Sequence, residues 1–126
     1  MRKLFIVDDD YDILLSLGIW FKKMGYDVST FENSKTMFNA LNMASPDLIL
    51  LDINLQGEDG RDICKKLKRE SDIGCPVILF SANYPALESC KENCADGILH
   101  KPFDLQDALQ LVKSHISSNH NSAYLH

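Results

Sequence analysis

Three short apolar runs, Leu4–Val7, Leu48–Leu51 and Val77–Phe80, each stop at a polar side chain: Asp8, Asp52 and Ser81. Four consecutive apolar residues without alternation mark a strand covered on both faces, and such strands belong to parallel sheets flanked by helices. Helical periods lie between them. Ile13, Leu17, Trp20, Phe21 and Met24 recur as one helix face, with Gly25 placed to end it. Met37, Leu41 and Ala44 form a second face, with Ser34 or Asn33 as its N-cap and Ser45-Pro46 as its break. Ile63 and Leu67 fall on a third helix after a polar, glycine-bearing loop, Asn54 to Gly60. Pro85 suits the first position of a short fourth helix, and Leu105, Leu109, Val112 and Ile116 share the face of a last one.

Two further strands are less uniformly apolar: Asp27–Phe31, which alternates, and Ile98–His100, which follows the Asp96-Gly97 turn. Five strands alternating with five helices predict an α/β fold, because parallel neighbours need crossover connections and both sheet faces must be covered. With the two weaker strands at the edges, the expected architecture is a doubly wound five-stranded parallel sheet of order 2-1-3-4-5, a flavodoxin-like (α/β)5 arrangement. The 126 residues hold one domain, expected over 1–118, with no room for a second folded output domain. Residues 119–126 are expected to be a disordered tail or cloning remnant, since Ser117–His126 lacks periodicity.

At 45% hydrophobic and 25% charged residues the composition is that of a globular chain and not of a disordered one. A net charge of −5 argues against a nucleic-acid partner, and Lys65, Lys66, Lys68 and Arg69 read as a solvated helix face. The sequence contains neither a signal peptide nor a membrane-spanning run, so no membrane partner is expected. Cys64, Cys75, Cys90 and Cys94 lack paired metal-ligand spacing, which predicts a reducing, cytoplasmic setting. Cys90 and Cys94 continue the stripe begun by Leu87 and are expected to be buried thiols and not zinc ligands.

In doubly wound sheets ligands bind beyond the carboxyl ends of the strands, at the switch point between the first and third. The residues expected there are Asp8, Asp9, Asp10, Asp52, Ser81 and Lys101. Two unit charges 4 Å apart repel by roughly 4 kcal/mol at an effective dielectric near 20. A hard divalent cation reverses that cost, and Mg²⁺ commonly takes only one or two carboxylates, leaving positions for water and phosphate oxygens. A local role also exists, in which one aspartate caps the first helix and the others favour its positive end. That role does not account for Asp52 and Lys101 at the same sheet edge.

The strings IVDDD, LILLDINLQGEDG, Ser81-Ala82 and Lys101-Pro102-Phe103, in this order and spacing across residues 3–116, resemble the response-regulator receiver domains of two-component signalling. The resemblance implies that Asp52 is the phosphoacceptor, and that Mg²⁺ (or Mn²⁺) is held by Asp8, Asp9, Asp52 and the backbone carbonyl of Asn54. It implies that Ser81 hydrogen-bonds the phosphoryl oxygen and shifts on activation, that Lys101 pairs with the same group, and that the bond before Pro102 is cis, which aims the lysine. A histidine kinase or histidine phosphotransfer protein would be the donor, and an output partner the reader. The domain would be a switch with self-catalysed phosphoryl transfer and autodephosphorylation, not an enzyme. The chain is expected to be either a stand-alone, chemotaxis-type receiver or a fragment of a longer regulator, the first being favoured because Met1 lies close before the first strand.

The resemblance has gaps. Ile98 stands where receivers usually carry the aromatic ring that swings with the hydroxyl, so output is expected through the loop after Ser81 and the helix from Pro85. Gln56 replaces the usual proline in the loop after the acceptor, which predicts a less restrained loop. Asn54 and Asn83, two residues beyond Asp52 and Ser81, are neutral and supply no general base. Three other readings are weaker. A flavin carrier would need a hydroxyl- and amide-rich loop after the first strand, where this chain has three aspartates. A haloacid-dehalogenase-like phosphatase would place an aspartate where Asn54 stands. The alternative function is a phosphorylation-independent interaction module on a receiver fold.

Overall fold

In the computed structural model each of the three apolar runs lies buried in a strand, β1 (Lys3–Val7), β3 (Leu48–Asp52) or β6 (Val77–Ser81), and only Lys3, which opens β1, is partly exposed. The structure describes residues 1–70, 73–90 and 95–124, and the side chains of 70, 84, 89, 90 and 117–124 are not among those described. Cys94 and the side chain of Cys90 therefore lie outside the described residues. The remaining elements are α1 (Tyr11–Lys23), β2 (Asp27–Phe31), α2 (Ser34–Leu41), β4 (Asn54–Leu55), β5 (Glu58–Asp59), α3 (Gly60–Glu70), α4 (Tyr84–Cys90), β7 (Gly97–His100) and α5 (Leu105–Tyr124).

The main sheet has the order β2-β1-β3-β6-β7, which is the expected 2-1-3-4-5 counted over its five strands, and every pairing in it is parallel. Successive residues of a strand point to opposite faces, and the two cores divide accordingly. Phe5, Val7, Ile49, Leu51, Val77 and Leu79 pack with Met37 of α2, Leu67 of α3 and Leu87 of α4. Leu4, Ile6, Leu48, Leu50, Ile78 and Phe80 pack with Leu14, Leu17 and Phe21 of α1 and Leu109 and Val112 of α5. A one-residue slip in any central strand would exchange its two faces. The sheet is thus held in register, with its strand ends at fixed depth.

Three local expectations are corrected. The stretch read as a loop after Asp52 contains a two-stranded antiparallel hairpin, in which Asn54 faces Asp59 and Leu55 faces Glu58. Gly57, at φ 76, fits the second central position of a type II turn. Pro85 is the second residue of α4, not its first; Asn83 is the cap, its Oδ1 accepting the Ala86 N–H at 3.1 Å. The backbone of α5 runs on to Tyr124, beyond the last apolar-periodic residue, Ile116. Among the described residues no helix is long and apolar enough to cross a membrane.

Candidate functional site

Asp8 and Asp10 stand two residues apart in the sequence with different duties. Asp10 is the N-cap of α1, its carboxylate accepting the Asp12 N–H at 3.0 Å and the Ile13 N–H at 3.4 Å. That consumes the carboxylate most easily explained by local structure. Asp8 is fully buried, accepts the Asp10 N–H at 2.9 Å, and faces the carboxyl edge of the sheet with Asp52, itself 3% exposed. Asp9, Asp8 and Asp52 each offer an oxygen, and these oxygens all lie within 4.8 Å of one another.

Lys101 follows β7 directly; its N–H donates to the Ser81 carbonyl at 2.9 Å, and its bond to Pro102 is cis. Its Nζ lies 3.1 Å from Asp52 Oδ2 and 3.3 Å from Asp8 Oδ2, above the Phe80 ring. One ammonium among three carboxylates leaves negative charge in excess. Burial pushes the Asp8 carboxyl up to about 7 from its ordinary 3.8, and the neighbouring Asp52 carboxylate adds to the rise, while the Asp10 N–H and Lys101 oppose it. An all-oxygen donor set with surplus negative charge suits a small hard cation such as Mg²⁺.

Ser81, fully buried at the end of β6, accepts the Asn83 N–H at 3.0 Å and an Asn54 Nδ2–H at 3.2 Å on its Oγ. Asn54 also donates its backbone N–H to Asp52 Oδ1 at 3.0 Å. The residues singled out in the sequence, Asp8, Asp9, Asp52, Asn54, Ser81 and Lys101, thus lie together at one edge. Ile98 lies on β7 and packs partly buried against the core that holds Leu51 and Leu79.

Two residues escaped the sequence reading. Gly60 donates its N–H to the Ile53 carbonyl at 2.7 Å, and a Cβ there would lie 2.2 Å from the Asp52 carbonyl oxygen and 2.7 Å from Ile53 Cα. The start of α3 therefore passes directly over the peptide that follows Asp52, and the Asp59-Gly60 pair was the available signal. Glu58 accepts the Ser34 N–H at 3.2 Å and also binds the Ser34 hydroxyl. A contact across 24 residues has no local signature. Both ties lie in the loop that carries Gln56.

The family model of the response regulator receiver domain matches residues 4–113. The chain belongs to that family. This receiver domain is similar to NtrX from Brucella abortus, at 23% identity and a TM-score of 0.89, over 99% of this chain and 29% of the NtrX chain. A two-component response regulator from Clostridium difficile matches at 24% identity and a TM-score of 0.84, over 93% of this chain and 97% of its own. The BeF3-activated DrrB receiver domain matches at 27% identity and a TM-score of 0.78, over 93% and 98%. This receiver domain thus spans less than a third of the NtrX chain and nearly all of the other two. Receiver domains typically interact with histidine kinases and output domains, and membership of the family is consistent with two-component signalling.

Proposed function

We propose that this domain is a phosphorylation-dependent switch in which Asp52 accepts a phosphoryl group from a phosphohistidine on a histidine kinase or histidine phosphotransfer protein. The observation that carries the reading is Lys101 Nζ set between the carboxylates of Asp8 and Asp52 at 3.3 and 3.1 Å. An oxygen of Asp52 attacks phosphorus in line; the new carboxylate O–P bond forms as the donor's N–P bond breaks, and the imidazole leaves with the bonding electron pair. Catalysis of such a transfer rests on positioning and charge neutralisation. Asp8, Asp9, Asp52 and the backbone carbonyl of Asn54 would hold Mg²⁺, which when bound supplies positive charge to the equatorial phosphoryl oxygens.

Lys101 pairs with a phosphoryl oxygen, and Ser81 turns its hydroxyl from Asn54 to donate to another. Water later attacks phosphorus; the new O–P bond forms as the carboxylate O–P bond breaks, inorganic phosphate leaves, and the Asp52 carboxylate is regenerated. Asn54 and Asn83 cannot take a proton from that water, so the domain is a switch that times its own reset and not a turnover enzyme. It acts in the cytoplasm, in keeping with the buried thiols of Cys64 and Cys75, and an output partner reads its phosphorylated state.

Intact-mass spectrometry after incubation with acetyl phosphate tests the reading. A single phosphoryl adduct should form with Mg²⁺, disappear with chelator, and be absent in Asp52→Asn. An adduct that forms equally without metal, or at the wild-type level in Asp52→Asn, contradicts it.

A further inference from the structure

The hairpin after the acceptor is anchored at both ends, and one anchor lies outside the site. At the near end Asn54 holds Asp52 Oδ1 through its backbone N–H and Ser81 Oγ through its side chain. At the far end Glu58 takes two donors of Ser34, the first residue of α2. Ser34 is 8% exposed, so its donors need a partner within the protein. Helix α2 has no acidic residue in its first turn, and its cap Asn33 serves only Thr36, with Oδ1 accepting the Thr36 N–H at 2.9 Å and its hydroxyl at 3.0 Å. Glu58 therefore fills the place of the missing acidic residue and complements the positive end of the helix.

The same carboxylate fixes where β5 lies. Glu58 pairs with Leu55, which is buried, and the adjacent Asp59 pairs with Asn54. From Asp59 the chain enters Gly60, whose missing Cβ lets it rest against the Asp52 carbonyl. A displacement of β5 would move Asn54 on one side and release the Asp52–Ile53 peptide on the other.

We infer that Glu58 is a positioning residue for the Asp52 site, acting through the β4–β5 hairpin from its anchor on Ser34 of α2. Its effect on phosphorylation rests on the function proposed above; its effect on the geometry of Asn54 does not. Glu58 is exposed, so its replacement should leave the fold intact. Glu58→Gln keeps an acceptor for Ser34, whereas Glu58→Ala keeps none.

Two-dimensional ¹H–¹⁵N NMR of the full chain without metal reads the geometry. Glu58→Ala should shift the backbone and side-chain amide resonances of Asn54 and the backbone amide of Gly60, and Glu58→Gln should restore most of both. A Mg²⁺ titration followed on the same resonances should show half-saturation raised on the order of tenfold in Glu58→Ala, as for loss of a group that orients metal ligands. Perturbation confined to residues 33–37, with Asn54, Gly60 and the Mg²⁺ midpoint unchanged, overturns the inference. An unphosphorylatable wild-type protein whose Asn54 resonances still respond to Glu58→Ala would defeat the proposed function while leaving the positioning role intact.

Discussion

Asp8 carries the sharpest residue-scale consequence, because its burial raises its carboxyl from 3.8 to about 7. Between those two values the folded protein retains a proton that the unfolded chain has released. Metal-free stability from this group therefore declines as pH rises through that window. A cation bound to Asp8 needs the ionised form, so it competes with the proton below about 7 and not above it. Addition of Mg²⁺ should raise the thermal midpoint more at about pH 8 than at about pH 5, and Asp8→Asn should remove most of that difference. Equal shifts at both pH values, measured by scanning calorimetry, contradict a metal role for Asp8. Gly60 makes a second case. In a helix Ala is usually better than Gly by about 1 kcal/mol, but here the methyl would strike the Asp52 and Ile53 backbone. Gly60→Ala should destabilise by about 1–3 kcal/mol, and a stabilised variant in urea titration would mean that α3 does not press on the acceptor peptide.

At the scale of elements, the central strands were legible because both of their faces are apolar: β1, β3 and β6 read as continuous runs and lie almost wholly buried. Helix starts were legible to within a residue or two where a cap is local: one of Asp8–Asp10 was expected for α1 and Ser34 or Asn33 for α2, and the caps are Asp10 and Asn33. The β4–β5 hairpin was not, because strands of two residues have no period to detect and its main tie, Glu58 to Ser34, joins distant segments. The route away from the site also belongs to this scale. Ser81 Oγ accepts the N–H of Asn83, and Asn83 caps α4, so a Ser81 hydroxyl drawn to a phosphoryl group pulls on that helix. Asn83→Ala leaves the Ser81 contact, which uses the backbone, but removes the cap. With BeF3 and Mg²⁺ added, amide resonances across α4 should shift in the wild-type protein by several times more than in Asn83→Ala. Comparable shifts in both would place the output route elsewhere.

For the molecule as a whole, the sequence pattern and the fold agree because the chemistry sits where topology brings distant segments together. Asp8, Asp52, Ser81 and Lys101 are far apart in the chain, yet each ends or follows a strand of one parallel sheet, at its carboxyl edge. Their convergence could be read once the strands were recognised; their separations could not, since these depend on packing depth and on the turn at Lys101-Pro102. In the proposed function this edge directs a phosphoryl group to one carboxylate among three within reach. Treatment with acetyl phosphate and Mg²⁺, reduction of the acyl phosphate with borohydride and peptide mapping by mass spectrometry would locate it. A reduced side chain at Asp52 alone, dependent on Mg²⁺, is the expected result; modification at Asp8 or Asp9, or none at Asp52, would contradict Asp52 as the acceptor.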